Sequence, residues 1–420
     1  TDVAVVGGGV AGLVAAATAA TLGCRCTLVE PRRLGGRART DERSGFTFNG
    51  GPRALYVGGP AERALTALDI PLAGGKPALD RAIAVRAGRA HRFPHGPGAL
   101  LSTSLLPGRA RAAAVRALAP LLHEPKRVPS DASLAAWLDR RRVSGPAREL
   151  VESLVRLATY VDAPELLPAS VGIRAAWNAS TLGVRYLDGG FGTIVAGLEA
   201  AAATRGVEIA PASAAAVSPD RDRWVVDAGD VAVVARCVIV AVGTPSAAVA
   251  ILGEHPESWG VLGPRITASC LELGTDRVPH RRFALGTDEP TYLSVHAPPA
   301  RLAPPGGAVV HAMRYRRPGD LADPGSTKAQ LEALVRLSGI DASSIVAQRY
   351  LHEMVVHGSI PTVTGGGLAG RPPIELVEMP GVLLAGDWVG PTGMLLDAAV
   401  ASGVDAGRRA AERWTTMAVA

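Results

Sequence analysis

The sequence predicts an α/β fold: a parallel-sheet domain interleaved with a mixed α+β cap domain. Three observations predict it. The chain opens strand–turn–helix–strand, with glycines at the turn. Helical stretches rich in Ala, Leu and Arg alternate with strand-rich stretches along the rest of it. Its 420 residues, 48% hydrophobic and 20% charged, can bury a large core. Aromatics are only 4%, so that core is mostly Ala, Val and Leu.

In chain order, "DVAVV" at 2–6 reads as a buried parallel strand. Residues 10–22 read as a helix and "CRCTLVE" as a second strand ending at Glu30. From about 76 to 184 the spacing is helical, with Pro and Gly between segments. Ser130 or Asp131 is expected to cap the helix in "DASLAAWLDRRR". "YLDGGFGTIVAGLEAAAATRGVEI" gives a Gly turn, a helix and a strand, and "RWVVDA", "VAVVA" and "RCVIVAVGTP" follow as strands. Strands return from about 266 to 315, then a helix at about 327–338. "GVLLAGDWVGPTGMLLDAAVASGVDAGRRAAERW" closes with strand, loop and long helix. The alternation places one domain in 1–75, 185–255 and 355–420, and the cap in 76–184 and 256–354.

Gly7, Gly9 and Gly12 have the GxGxxG spacing between strand and helix. Gly7 permits the turn, Gly9 removes a Cβ where a pyrophosphate approaches, and Gly12 lets the helix pack on the strand. The helix start at Val10 and Ala11 offers free N–H groups and a positive dipole end. Glu30 can accept hydrogen bonds from ribose hydroxyls. The turn is built for a dinucleotide, without saying which.

The following "RRLGGRART" resembles the R-x-G-G-R-x-x-T element of a flavoprotein superfamily. That superfamily includes amine oxidases, protoporphyrinogen oxidase and phytoene desaturases. "YLDGGFGTIVAGLEAAAATRGVEI" and "GVLLAGDWVGPTGMLLDAAVASGVDAGRRAAE" are similar to its middle and C-terminal elements. The resemblance implies a Rossmann-like FAD-binding domain (GR2 type), with the FAD bound non-covalently, since no cysteine precedes "LLAGDW". It implies that Pro31 and Arg32 flank the adenine, with Gly35, Gly36 and Arg37 near the pyrophosphate. Val207 would hold the adenine edge through its backbone, and Gly386 and Asp387 would meet the pyrophosphate and ribityl chain. Gly51 and Pro52 would pass beside the isoalloxazine. The last helix would start near Leu395 and Leu396, aimed at the flavin N1/C2=O edge, where reduced flavin carries negative charge.

Amine oxidases of the superfamily usually carry a lysine on a cap strand. The comparable stretch here is "RITASCLELG", with Ser269 at or beside that position, and the three lysines lie elsewhere. One position of their aromatic cage is Leu395. The resemblance therefore favours the desaturase and protoporphyrinogen-oxidase side. The expectation is a dehydrogenase or desaturase moving a hydride from a C–H or C–N centre of a rather hydrophobic small molecule to flavin N5. Oxygen or a quinone would accept the electrons. An amine or amino-acid oxidase using oxygen is the alternative, and a redox-neutral flavin-dependent isomerase is another. Arg53 and His357 are the candidate catalytic residues, Arg53 as a possible carboxylate anchor and His357 as a base. Arg53, Met394 and Leu395 are the candidate substrate pocket.

The net charge is +6, and nearly all the cations are arginines, with no run of like charge and no basic–aromatic alternation. Nucleic-acid binding is not expected. No metal spacing and no CxxC pair occur among the four cysteines, so reduced thiols and a cytoplasmic location are expected. No apolar run reaches the length of a membrane span. "LLSTSLLPGRARAAAVRALAPLL" reads as a core-facing cap helix, with a peripheral membrane contact as its alternative. The chain starts at Thr1, which is compatible with a short removed leader.

Overall fold

The structure is a computed structural model that describes residues 1–419. Two sheets organise it. The first is parallel and five-stranded, in the order Glu208–Ala210, β2 (Cys26–Val29), β1 (Val3–Val6), Cys237–Val240 and Val382–Leu384. Its central strands are buried at every position, which explains their nearly continuous apolar text, VAVV, CTLV and CVIV. Helix α1 (Val10–Thr21) crosses between β1 and β2.

Small residues set the helix packing on this sheet. The terminal helix Leu395–Val419 lies against α1, and a Cβ on Gly403 would come within 2.5 Å of the Ala11 carbonyl oxygen. Gly407 stands in the same relation to Ala15, at 2.6 Å. Alanine and glycine along both helices let the two backbones approach where larger side chains would hold them apart.

The second sheet has seven strands, in the order Ile345–His357, Ile266–Thr275, Ala308–Tyr315, Thr291–Val295, Phe283–Gly286, Ile83–Arg86 and Arg89–Arg92. It is antiparallel except where Phe283–Gly286 meets Ile83–Arg86. The two-residue alternation divides its faces. Phe283, Leu285 and Tyr292 face the helices between 97 and 181, while Ala284, Leu293 and Val295 face helix Pro324–Leu337. Both faces are covered, so both alternating sets are apolar. Smaller pieces join the two sheets: the strands Ala216–Asp220, Arg223–Ala228 and Val231–Ala235 form one antiparallel unit, and Val184–Leu187 pairs with Leu55–Tyr56 and Gly74–Gly75.

The helix Leu134–Arg140 is capped by Ser133, whose hydroxyl accepts from the Ala136 N–H at 3.1 Å, and not by Ser130 or Asp131. The expected "LLSTSLLPGRARAAAVRALAPLL" helix is split into Pro97–Ser102, Gly108–Leu118 and a 3-10 turn, with the break at Pro107. Ala114 and Ala117 face the cap core, and the partly exposed Val115 borders the large cavity described below. All four cysteines are buried free thiols. Among the described residues no helix is long and apolar enough to cross a membrane, and no group of side chains could hold a metal ion.

Candidate active site: a two-armed cavity between the sheets

The turn after β1 carries the first part of the site. Gly7 has φ +108°, and a Cβ there would press to 2.7 Å from the Ala241 carbonyl oxygen. A Cβ on Gly12 would lie 2.0 Å from the Gly7 carbonyl oxygen, so the helix closes onto its own turn only as glycine. Gly9 is different: its backbone is ordinary extended chain and nothing lies within 4 Å of where its Cβ would be. Gly7, Gly9, Val10 and Ala11 all line one large cavity. No side chain caps α1 at Gly9, so the helix start is left to whatever occupies that cavity. A space kept clear of Cβ, beside uncapped helical N–H groups, fits a pyrophosphate.

Glu30 lies at the same end. Its Oε2 accepts from the Gly8 N–H at 2.8 Å and its Oε1 from the Arg32 N–H at 3.0 Å. The carboxylate is thus fixed by backbone donors and presents its remaining lone pairs to the cavity, which Pro31 and Arg32 also line. Val207 does not line it. Its side chain is packed in the core and its N–H donates to the Ala202 carbonyl at 3.0 Å. The wall there is made by Ser213 and Ala214, further along the chain. The strand Glu208–Ala210 begins only after Val207, so the chain first reaches the cavity beyond that strand.

Toward the middle of the cavity, Gly35, Gly36, Arg37, Gly386 and Asp387 come together. Arg37 grips Asp387 in a fork, with Nη2–Oδ1 at 2.5 Å and Nη1–Oδ2 at 3.1 Å. Asp387 also accepts from the Gly358 N–H at 3.1 Å. Burial alone would raise the Asp387 pKa; Arg37 outweighs it and holds the carboxyl below its ordinary range. The two residues expected to meet the pyrophosphate separately form one charge pair on the cavity wall.

The "GGPR" segment is held from behind. Gly51 turns its N–H away from the cavity to Glu272 Oε1 at 2.9 Å and does not line the cavity, which corrects its expected cofactor contact. Glu272 is fully buried, and burial opposes its charge. The neighbouring His311, the Gly51 N–H and Arg349 outweigh that and bring its pKa down to about 2. Pro52 and Arg53 then face the cavity. Arg53 lies deep in the fold yet remains half-exposed because it borders the cavity. It donates to the carbonyls of Arg37 at 3.1 Å and Gly50 at 3.4 Å, and its Nε has no partner. Burial, then the charge of Arg37, pushes its pKa below the ordinary arginine value.

Leu395 and Leu396 line the cavity at the start of the terminal helix. Met394 does not: it packs into the cap core and its sulfur accepts from Arg371 Nη2 at 3.2 Å. His357 is also displaced from its expected role. It ends the strand Ile345–His357, is fully buried, and its Nε2 donates to the Thr159 carbonyl at 2.7 Å. Burial pushes its pKa down to about 4, and it does not border the cavity, so it cannot reach a substrate as a base.

Asp397, in the first turn of the same helix, is buried outside the cavity. Its Oδ1 accepts from the Ala61 N–H at 2.9 Å, capping helix α2 (Pro60–Ala67), whose own Gly59 has no capping side chain. Burial pushes this carboxyl up from 3.8 to about 6. A raised folded-state pKa adds stability that is full below the unfolded pKa and lost as pH rises through about 6. In urea titrations of the apoprotein, wild type minus Asp397→Asn should therefore lose on the order of 3 kcal/mol between pH 4 and pH 7. An equal pH dependence in both proteins would refute it.

The cavity measures about 1230 Å³ and continues from these residues into the cap. That exceeds the usual size of a single-ligand pocket, roughly 300–1000 Å³. Its second arm is walled by Phe93, Leu100, Leu154, Leu157, Ala176 and Phe283, with four tyrosines at the junction.

Residues 5–69 match the family model of the NAD(P)-binding Rossmann-like domain. Over nearly its full length the chain superposes on solved oxidases. An Exiguobacterium protein named provisionally as a protoporphyrinogen oxidase gives a TM-score of 0.76 at 20% identity, covering 98% of this chain and 99% of that one. A Methanosarcina mazei oxidoreductase gives 0.74 at 19% identity, covering 97% and 100%. Cyclohexylamine oxidase from Brevibacterium oxydans gives 0.71 at 18% identity, covering 100% and 99%. The chain shares the fold of these solved oxidoreductases. No curated protein sequence matches the chain.

Within this amine oxidase-like fold, Ser269 lies on the strand Ile266–Thr275 but its hydroxyl donates to the His352 carbonyl, away from the cavity. Met354 of the paired strand Ile345–His357 faces the cavity instead. Sequence reasoning missed Tyr56, Tyr160, Tyr186 and Tyr292. One signal was available: the chain has only six tyrosines, so each is a costly choice in an aromatic-poor sequence. It also missed Ala241, Val242 and Gly243, which follow the strand Cys237–Val240 at the carboxyl edge of the parallel sheet.

Proposed function

We propose that the chain is an FAD-dependent oxidoreductase that oxidises a rather hydrophobic small molecule. One observation carries the reading: a single cavity joins a glycine-cleared, helix-started arm to an apolar arm. The first suits a dinucleotide and the second an apolar substrate placed end-on to it.

Bound FAD would supply a two-electron acceptor, taking a hydride at N5 from a C–H or C–N centre, with oxygen or a quinone as final acceptor. The chain's own residues do the rest. Val10 and Ala11 would offer the start of α1 to the phosphates, Glu30 would hold the ribose, and the Arg37–Asp387 pair would stiffen the wall beside the cofactor. Leu395 and Leu396 place a helix start at the flavin edge, where added electrons would be stabilised. The cap helices exclude water from the reacting carbon. No cysteine lines the cavity, which supports non-covalent attachment.

Arg53 lines this cavity with only carbonyl partners, and among the arginines there it is the one beside Pro52 and Tyr160, which makes it the best anchor for a substrate anion. Arg53→Ala should leave FAD stoichiometry unchanged and lower kcat/KM on the order of 100-fold, the scale of a lost buried charge pair. Unchanged rates would remove Arg53 from substrate binding.

The reading itself is tested on the purified protein. It should be yellow, its flavin absorbance should bleach anaerobically with a small-molecule extract, and mass spectrometry should find a product two hydrogens lighter. A colourless protein that does not change FAD absorbance on titration would overturn it.

A further inference from the structure

Five of the six tyrosines converge on one place although they come from five separated segments. Tyr56, Tyr160, Tyr186 and Tyr292 line the cavity at the junction of its arms, and Tyr315 packs behind Tyr160 and Tyr292. Their hydroxyls are not equivalent. Tyr56 donates to the Ala158 carbonyl and Tyr160 to the Pro52 carbonyl, so both protons are committed to backbone. Tyr186 and Tyr292 share a slack 3.5 Å contact, and their other side-chain partner is a serine hydroxyl rather than backbone. That contact uses at most one of the two phenol protons.

A buried polar chain stands behind this pair. Ser294 lies within hydrogen-bonding reach of both phenols, and its Oγ is 2.9 Å from His296 Nε2. The His296 ring is stacked on Tyr186 with centroids 3.6 Å apart and planes 13° from parallel. His296 is 1% exposed and its Nδ1 has no partner. A buried orphan acceptor is more readily tolerated than an orphan donor. The proton therefore belongs on Nε2 and points at Ser294. The single Ser294 proton then goes to one phenol, and since the Tyr186–Tyr292 contact takes at most one phenol proton, at least one is left for a ligand in the cavity that both rings line. Burial keeps both phenols and the imidazole neutral. Bonds in such a chain polarise one another toward its open end.

The surrounding charge selects the ligand. Glu30 and Asp387 are the acids among the lining residues, and both are engaged by backbone or Arg37 at the other arm. The apolar arm holds no carboxylate among the described residues, so a cationic amine finds no counter-charge there.

Resting on the FAD reading above, we propose that Tyr186 and Tyr292, backed by Ser294 and His296, form a hydrogen-bond-donating subsite. It binds a carboxylate or carbonyl oxygen carried on an apolar body, and the substrate is neutral or anionic where it meets the phenols.

Isothermal calorimetry with benzoate and benzylamine as probes tests this on the purified protein at neutral pH. The expected result is benzoate at least about tenfold tighter than benzylamine, weakening about tenfold in the Tyr186→Phe/Tyr292→Phe double variant, with FAD content and benzylamine affinity unchanged. Ser294→Ala should weaken benzoate in the same direction by a smaller factor. Tighter benzylamine, no benzoate binding, or a benzoate affinity indifferent to the double variant would each overturn the proposal. Calorimetry reads the probe without using flavin chemistry, and FAD content is measured separately. A failure of the subsite in a yellow protein is therefore distinct from a failure to bind FAD.

Discussion

Gly9→Val should strongly weaken FAD binding and leave the apoprotein folded. The Cβ of Gly9 would project into open cavity with nothing within 4 Å, and the residue's φ of −75° and ψ of 178° suit any amino acid. The valine therefore strains no protein contact. Its stability cost is that of a poor helix N-cap, about 1 kcal/mol. What it fills is the approach to the first free N–H groups of α1, where a pyrophosphate must come close. Weakening of FAD by about 100-fold or more is expected, equivalent to roughly 3 kcal/mol. Gly12→Ala is the contrasting variant. Its Cβ would meet the Gly7 carbonyl oxygen at 2.0 Å, so it should damage the turn and lower the apoprotein's Tm. Thermal unfolding of both apoproteins with FAD titration separates the two effects. A Gly9→Val protein that binds FAD normally would refute the dinucleotide site.

The contrast also marks what the sequence made legible. The turn after β1, its glycines and Glu30 are read from fewer than thirty consecutive residues, because backbone closeness and strand ends are local properties. The same holds for the glycine pair at 35–36 and the start of the terminal helix. Long-range pairing decides the rest. His357 reads as a loop residue in "HGSIP", yet pairing of its strand with Ile266–Thr275 carries it into the core and onto the Thr159 carbonyl. Val207 lies in the right element but on the wrong side of the strand start. Gly51 lies in the right segment, but Glu272, more than two hundred residues away, draws its N–H backward. The tyrosine cluster has no local signature at all, since its members meet only when the cap folds over the parallel sheet. Met394 shows the same limit within one turn of helix: it precedes Leu395, yet Arg371 holds it on the other side of the wall.

Asp387→Ala should be the most destabilising single change in the cavity wall. Asp387 is 2% exposed and takes three hydrogen bonds, two from Arg37 and one from the Gly358 N–H. Removing it strands the Arg37 guanidinium, whose remaining side-chain contact is the Val356 carbonyl at 3.0 Å, and orphans a buried N–H. Breaking one side of a fully buried pair costs about 3–5 kcal/mol, and because the Arg37 side chain is 34% exposed along the cavity the loss expected here is smaller, about 2 kcal/mol. The double variant Asp387→Ala/Arg37→Met should recover part of that loss, since it removes the stranded charge with its partner. Acid should act in the same sense as the single variant. The Asp387 pKa is lowered in the fold, so its contribution is present above the unfolded value of about 3.9 and is lost as pH falls below it. Urea unfolding of the four apoproteins at pH 7 measures the cycle. If the double variant is as unstable as the two single losses added together, Arg37 and Asp387 do not act as a pair. FAD added to the same set then reports on binding. Asp387→Ala leaves the Arg37 cation in place but frees its fork, so weaker FAD binding in this variant would mean that the fork's position, not its charge, serves the phosphates.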